Sequence, residues 1–391
     1  MVDAIAPDLN EVLHLSHAYG KDPLWIIGGG GNISLKQGNR MWIKASGMTL
    51  DSITPDGFVG MNLDALRDMV KREYPEDASL RERLAKDLLL GCRLSGEEQK
   101  RPSVETGMHA LFPHRIVFHT HPTLVNGLTC ARDGREWVER LFGEEVLWIP
   151  MVNPGIVLSR YLAVRLQEYS RTHAQRLPVA IFLQNHGLVV YGESADEIRS
   201  LHSWIETRIL ESLPEDLRKR YEGWKEEIGS DTGSPQSGSS IDPGTLGAAL
   251  SAMEEFYTEP FVLTDASSLF RPFYSSRGMF AGIDGPFTPD HVVYAGHRLL
   301  WVDDVSHLKE AMQMYKIEEG GSLPRVILMK DTGVWILGQN ERKARIIHLL
   351  AKDMARICTL AQQFGGVQFM PKDQTEFIRS WEVEQFRQQI T

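Results

Sequence analysis

Cysteine is scarce in this chain of 391 residues: Cys92, Cys130 and Cys358 lie far apart and never form a CxxC pair. That argues against both a disulfide framework and a thiolate zinc site, and fits reduced thiols in a cytoplasm. Long apolar runs are also missing. No stretch reaches the ~18 residues that a membrane span needs, and Met1-Val2-Asp3-Ala4 puts an acid where a secretory leader is basic. The expectation is a cytoplasmic protein with no membrane partner. Positive charge is in deficit, with 42 Lys+Arg against 52 Asp+Glu and a net charge of -10, so no nucleic acid partner is expected. Neither a GxGxxG nor a Walker loop is present, and with them the usual nicotinamide and nucleotide fingerprints are missing.

What is present suggests two domains, because 391 residues exceed one ordinary core while 42% hydrophobic residues is normal for a globular chain. Residues 229–244, GSDTGSPQSGSSIDPG, carry almost no apolar side chain and read as a linker. The expected partition is therefore 1–228, linker 229–244, and a smaller α/β domain over 245–391. Helical spacing of apolar residues marks Asp196 to Tyr221 before the linker and Leu246 to Phe256 after it. The two halves also resemble each other. Ile181 to Gly192 (IFLQNHGLVVYG) runs in parallel with Ile327 to Gly338 (ILMKDTGVWILG), and Pro113 to His121 with Pro289 to His297, as in a degenerate internal repeat. In that alignment His186 meets Thr332 and His119 meets Ala295, leaving only His297 opposite His121. The second half is thus expected to have no metal site and to serve packing or assembly.

The strongest chemical signal is Val117-Phe118-His119-Thr120-His121-Pro122. Strand alternation aims side chains two residues apart at one face, so His119 and His121 converge as a pair of metal ligands would. A third imidazole, His186, follows a hydrophobic strand in Leu183-Gln184-Asn185-His186-Gly187. A carboxylate, Glu105, stands in Pro102-Ser103-Val104-Glu105 at the start of a helical stretch. Three neutral imidazoles with an open fourth position suit a divalent Lewis acid, zinc first among them. His109, four residues beyond Glu105 and on the same helical face, is a rival ligand, with a supporting or capping role the better fit.

A second cluster reads as an anion site. Gly28-Gly29-Gly30-Gly31-Asn32-Ile33-Ser34 lets backbone N–H groups crowd around a phosphate. Ala45-Ser46-Gly47 and Pro102-Ser103 add hydroxyl and backbone donors, and Lys44 adds a positive charge.

The ordered set GNIS (31–34), ASG (45–47), PSVE (102–105), HTH (119–121) and QNHG (184–187) resembles the class II aldolase/adducin family across essentially the whole first half. RPSVET followed by HALFPH and HTHP is similar to the aldolase part of the bifunctional rhamnulose-1-phosphate aldolase/lactaldehyde dehydrogenase proteins. Asp290 to Trp381 resembles the segment those proteins carry between their two activities, and no short-chain dehydrogenase segment follows.

The resemblance implies a three-layer α/β/α fold around a mostly antiparallel sheet. It also implies Zn²⁺ or another divalent ion on His119, His121 and His186, with Glu105 able to join them and acting as the acid/base. Gly31, Asn32, Ser46, Gly47 and Ser103 match positions that bind a substrate phosphate. Two departures stand out: a glycine precedes GNIS where a small hydroxylic residue is usual, and Val104 replaces a serine. No tyrosine here matches the family's proton donor. The family commonly forms homo-oligomers with sites between subunits.

The expected reaction is reversible cleavage of a ketose 1-phosphate, L-rhamnulose 1-phosphate in the leading case, into dihydroxyacetone phosphate and an aldehyde. Epimerisation, dehydration or decarboxylation of a sugar phosphate are alternatives on the same scaffold. So is an adducin-like interaction module without catalysis.

Overall fold

A computed structural model of the chain describes residues 8–230 and 241–381. The chain divides into two compact units. One runs up to Val125 and resumes from Arg135 to Leu213; the other comprises Asn126–Gly134 and the chain from Pro214 onward.

The first unit is built on a seven-stranded sheet. Its strands are β1 (Asn32–Gln37), β2 (Arg40–Lys44), β3 (Phe58–Asn62), β4 (Ile116–Thr120), β5 (Val146–Ile149), β6 (Ala180–Leu183) and β7 (Gly187–Gly192), in the order β3-β2-β1-β4-β7-β6-β5. Every neighbouring pair is antiparallel except β5 with β6. The two-residue turn Gly38-Asn39, with Gly38 at φ 57°, joins β1 to β2 and pins Gln37 opposite Arg40.

One face of the sheet packs under helices Leu63–Lys71, Thr106–Ala110 and Ile156–Thr172, where Val117, Ile181 and Val189 enter a core with Met108, Leu158 and Leu162. The opposite face is covered by helices Asn10–Gly20 and Ala195–Ser212, whose Tyr19 and His202 pack against Phe118. Val117 and Phe118 therefore serve different layers, as strand alternation requires. The expected three-layer α/β/α arrangement around a mostly antiparallel sheet is the one observed.

The second unit has a four-stranded sheet of β8 (Phe261–Asp265), β9 (Leu300–Val302), β10 (Val326–Met329) and β11 (Gly333–Gly338), ordered β8-β11-β10-β9. It repeats the β4-β7-β6-β5 half of the first sheet pair by pair: antiparallel, antiparallel, then parallel. Registers match as well. Ala180↔Val190 through Leu183↔Gly187 become Val326↔Ile336 through Met329↔Gly333. Asn185 and Asp331 hold the same left-handed turn position, at φ 52° and 53°. Ser194 caps the helix after β7, and Asn340 caps Glu341–Ala361 after β11.

Only half of the expected repeat survives as drawn. The stretch Pro289 to His297 is not a strand: His291–Ala295 forms a π-helical turn. The strand that stands beside β11 as β4 stands beside β7 is β8. Its register sets Thr264 where His119 lies and carries the chain to Ala266 at the place of His121. His297 instead contacts the Glu319 carboxylate through its Nε2. Similar apolar composition misled the alignment, since short β-prone runs are poor evidence of position.

The units also divide the chain elsewhere than composition suggested. Helix Glu215–Ser230 groups with the second unit, where the Arg356 guanidinium lies 5.6 Å from the Trp224 ring and Glu227 pairs with Lys352 at 3.1 Å. Asn126–Gly134 joins that unit through an Ala131–Val367 bridge and a Cys130 thiol that donates to Phe287 O. Most of the expected linker, residues 231–240, lies outside the described residues. Its last two residues, Pro243 and Gly244, already begin helix Pro243–Glu254. Among the described residues, no helix is long and apolar enough to cross a membrane.

Candidate metal centre

β4 carries His119 into the first unit's interior, fully buried, while His121 follows the strand's last residue and is half-buried. His186 arrives from the β6–β7 turn, where its N–H donates to Leu183 O at 3.1 Å beside the left-handed Asn185. The three Nε2 atoms meet. His121 Nε2 is 3.0 Å and His186 Nε2 3.3 Å from His119 Nε2, and one ligand atom from each of the three residues lies within 4.8 Å of the others.

Tautomers follow from the surroundings. His119 Nδ1–H donates to Leu188 O at 2.9 Å, so its Nε2 presents a bare lone pair to the centre. Burial also drives this imidazole down to about 3, which keeps it neutral. With the other two rings in the same tautomer, three lone pairs at such distances would repel unless a positive charge lay among them. The donor set therefore fits a divalent cation, and the carbonyl behind His119 is the kind of partner that orients a metal-binding imidazole.

Glu105 faces the same centre, with Oε1 3.2 Å from His186 Nε2 and 3.5 Å from His119 Nε2. Burial pushes this carboxyl up, while positive charge at His119, His186 and His121 would pull it well below the usual range; with the His119 imidazole neutral, a cation among the three rings would supply that charge. The Asn32 amide donates to Glu105 Oε2. Among the described residues, His109 lies outside the cluster that could hold an ion. Its Nδ1 contacts Ser34 Oγ at 2.9 Å.

The residues expected at a phosphate lie on three segments that the fold brings together. Ala45 bridges to Pro102, and Ser46 N–H donates to Arg101 O at 2.8 Å, so Ser46 and Ser103 belong to adjoining segments. Gly47 sits at φ 85° and Gly31 at φ 66°. A Cβ on Gly31 would come within 2.9 Å of His119 O, so this glycine is required by close packing against the metal strand. Ser103 Oγ accepts from Glu105 N–H at 3.3 Å. Asn32 directs its amide to the carboxylate, a role that motif reading had not given it.

Lys44 contributes more than charge. Its buried Nζ donates to Gly29 O at 3.1 Å and to Met48 O at 2.9 Å, tying the glycine loop to the Ser46-Gly47 loop. The segment before those glycines matters too, because Trp25 O accepts from His121 N–H at 3.2 Å. Neither tie has a sequence signature, since each uses a backbone carbonyl that any residue could supply.

The match to known proteins falls on the same half of the chain. The class II aldolase and adducin N-terminal domain model matches residues 10–209, just over half of the chain. A curated relative, the "Uncharacterized oxidoreductase YuxG" of Bacillus subtilis (strain 168), is 25% identical over 430 aligned residues. That alignment takes in 97% of this chain and 58% of the relative, so the chain spans little more than half of that protein's length. Among solved structures, the N-terminal class II aldolase domain of a conserved protein from Thermoplasma acidophilum is 25% identical with a TM-score of 0.43, covering 54% of this chain and 95% of that one. The L-fuculose-1-phosphate aldolase from Thermus thermophilus is 17% identical with a TM-score of 0.31, covering 51% and 90%. By the match of its first half, the chain belongs to the class II aldolase and adducin family.

Proposed function

We propose that this protein is a zinc-dependent aldolase that cleaves a ketose 1-phosphate to dihydroxyacetone phosphate and an aldehyde, with L-rhamnulose 1-phosphate giving L-lactaldehyde as the leading case. The observation that carries the reading is the meeting of three Nε2 atoms with the Glu105 carboxylate around one centre. In this reading His119, His121 and His186 hold the ion, joined by Glu105 when no substrate is bound. A divalent cation held there would supply a Lewis acid, and so an electron sink for the breaking carbon–carbon bond.

The chain's own residues do the rest. Held by Asn32, Glu105 takes the proton from the carbon next to the carbonyl as a carboxylate in the condensation direction, and in cleavage returns it as the protonated carboxyl. Gly31, Asn32, Ser46, Gly47 and Ser103 cradle the phosphate, with the Lys44 ammonium holding their loops in place. His121, the least buried of the three imidazoles, lies toward the side from which a sugar would enter. As in other members of the family, the working form is a homo-oligomer.

The test is a panel of ketose phosphates presented to the metal-replete protein, with dihydroxyacetone phosphate detected by a coupled reaction. Release from one of them, abolished by chelation and by Glu105→Gln, is the expected result. Turnover that survives either treatment, or epimerised or dehydrated product without dihydroxyacetone phosphate, would replace this reading.

A further inference from the structure

Strand β1 presents Asn32, Ser34 and Lys36 on one face, because alternate residues of a strand point the same way. Its register against β4 sets Asn32 opposite His119 and Ser34 opposite Val117, so this face is the one that bears the imidazole. Across it lies Glu105 with the helix Thr106–Ala110 and the turn beyond. Three rungs join the two: Asn32 Nδ2 donates to Glu105 Oε2, Ser34 Oγ meets His109 Nδ1 at 2.9 Å, and Lys36 Nζ donates to His114 O at 3.2 Å.

That helix has five residues and no side-chain cap bond, so it has little stability of its own. Its placement depends on what holds it from outside. Glu105 stands just ahead of its first turn, and the Glu105 carbonyl accepts from Met108 N–H and His109 N–H at 3.0 and 3.3 Å. Shifting His109 therefore shifts Glu105. His109 is fully buried, and burial keeps its imidazole well below its usual range and hence neutral. Among the described residues, its Nε2 has no hydrogen-bond partner. A leucine would fill such a place at less cost than an imidazole with one nitrogen unsatisfied, unless the other nitrogen's bond matters.

We infer that His109, through its bond to Ser34, is the positioning residue that sets the Glu105 carboxylate against the three imidazoles. The inference rests on the reading of Glu105 as the acid/base, and it assigns His109 no ligand role.

The experiment uses the full chain loaded with Co²⁺, as wild type, His109→Leu, His109→Asn and Ser34→Ala, with circular dichroism and thermal melting as folding controls. Asparagine carries an amide near the place of Nδ1 and can keep the bond to Ser34; leucine cannot. All four proteins should bind cobalt through the unchanged imidazoles. His109→Leu and Ser34→Ala should alter the visible cobalt spectrum and lower kcat between about tenfold and hundredfold, the range for a misplaced catalytic group, with KM almost unchanged. His109→Asn should restore both spectrum and kcat. A His109→Leu protein with the wild-type spectrum and kcat would overturn the inference, as would equal impairment of the leucine and asparagine variants, which would mean packing alone. Should His109→Leu fail to fold, Ser34→Ala removes the same bond and leaves the buried ring intact. Cobalt bound with the expected spectral differences but no aldol cleavage would overturn only the proposed reaction. Wild-type protein that takes up no cobalt would overturn both.

Discussion

Asn32 stands directly opposite His119 in the antiparallel pairing of β1 with β4, and its side-chain amide donates to the carboxylate of Glu105. One residue thus links the strand that bears His119 to the proposed acid/base. A hydrogen bond to an ionised group is worth about 1.5–3 kcal/mol, so Asn32→Leu is expected to lower kcat roughly tenfold to a hundredfold. Steady-state kinetics on the phosphorylated substrate checks this. If the loss fell on KM with kcat preserved, the contribution of Asn32 to the phosphate site, and not its hold on the carboxylate, would be the one that matters for turnover.

Metal content should be one divalent ion per chain. The three matching positions of the second unit are Thr264, Ala266 and Thr332, none of which offers an imidazole. His119→Ala is expected to leave the purified protein without bound zinc and without cleavage activity, measured by elemental analysis beside the aldolase assay. Two ions per chain would contradict the assignment of all metal chemistry to the first unit.

Lys44 joins the glycine loop to the Ser46-Gly47 loop through two backbone carbonyls. Removing its charge-assisted bonds with Lys44→Met should raise KM for a phosphorylated ketose about tenfold or more, and should leave zinc content unchanged. The binding of dihydroxyacetone, which has no phosphate, should change little, and calorimetric titration of both compounds separates the two effects.

Gly31→Ala tests the close approach to the metal strand. Its φ of 66° and a Cβ at 2.9 Å from His119 O leave no room for a side chain. A loss of about 1–3 kcal/mol is expected in urea unfolding, together with weaker zinc binding, because His119 itself must shift.

Acid sensitivity has an identifiable source in His202, which is buried among Tyr19, Trp25 and Phe118 with neither ring nitrogen partnered among the described residues. Burial drives its imidazole down to about 3, against an ordinary value of 6.5. The folded form thus refuses a proton that the unfolded chain accepts. Its contribution is complete above pH 6.5 and fades as pH falls from there towards 3, at up to about 1.4 kcal/mol per unit. Unfolding of metal-free His202→Phe in urea between about pH 7 and 5 should show a shallower pH dependence than wild type. Identical slopes would remove His202 as the cause.

The parts of the site legible in sequence are those governed by a short period. His119 and His121 share a strand face because alternation is local, and the turn that presents His186 is marked by an asparagine able to adopt φ 52° next to a glycine. The hairpin repeat was equally visible, because both of its strands and their turn are contiguous. The ties made by Lys44 and Trp25 were not, since they end on carbonyls that carry no residue identity. The motif places Asn32 at a phosphate, and it gives no sign that the register opposite His119 also brings its amide to a carboxylate. β8 escaped notice because five residues, FVLTD, show too little pattern to be matched with IVFHT. The place of helix Glu215–Ser230 depends on Trp224 and Glu227 meeting Arg356 and Lys352, side chains distant in sequence.

The twin hairpins supply a control that protein engineers seldom find ready-made. Where the first turn reads Asn185-His186-Gly187, the second reads Asp331-Thr332-Gly333 in the same register and with the same left-handed residue. Threonine has therefore already been accommodated in this turn by the chain itself. A His186→Thr exchange should abolish chemistry while sparing architecture, so any defect it causes can be traced to the missing imidazole and not to a broken scaffold.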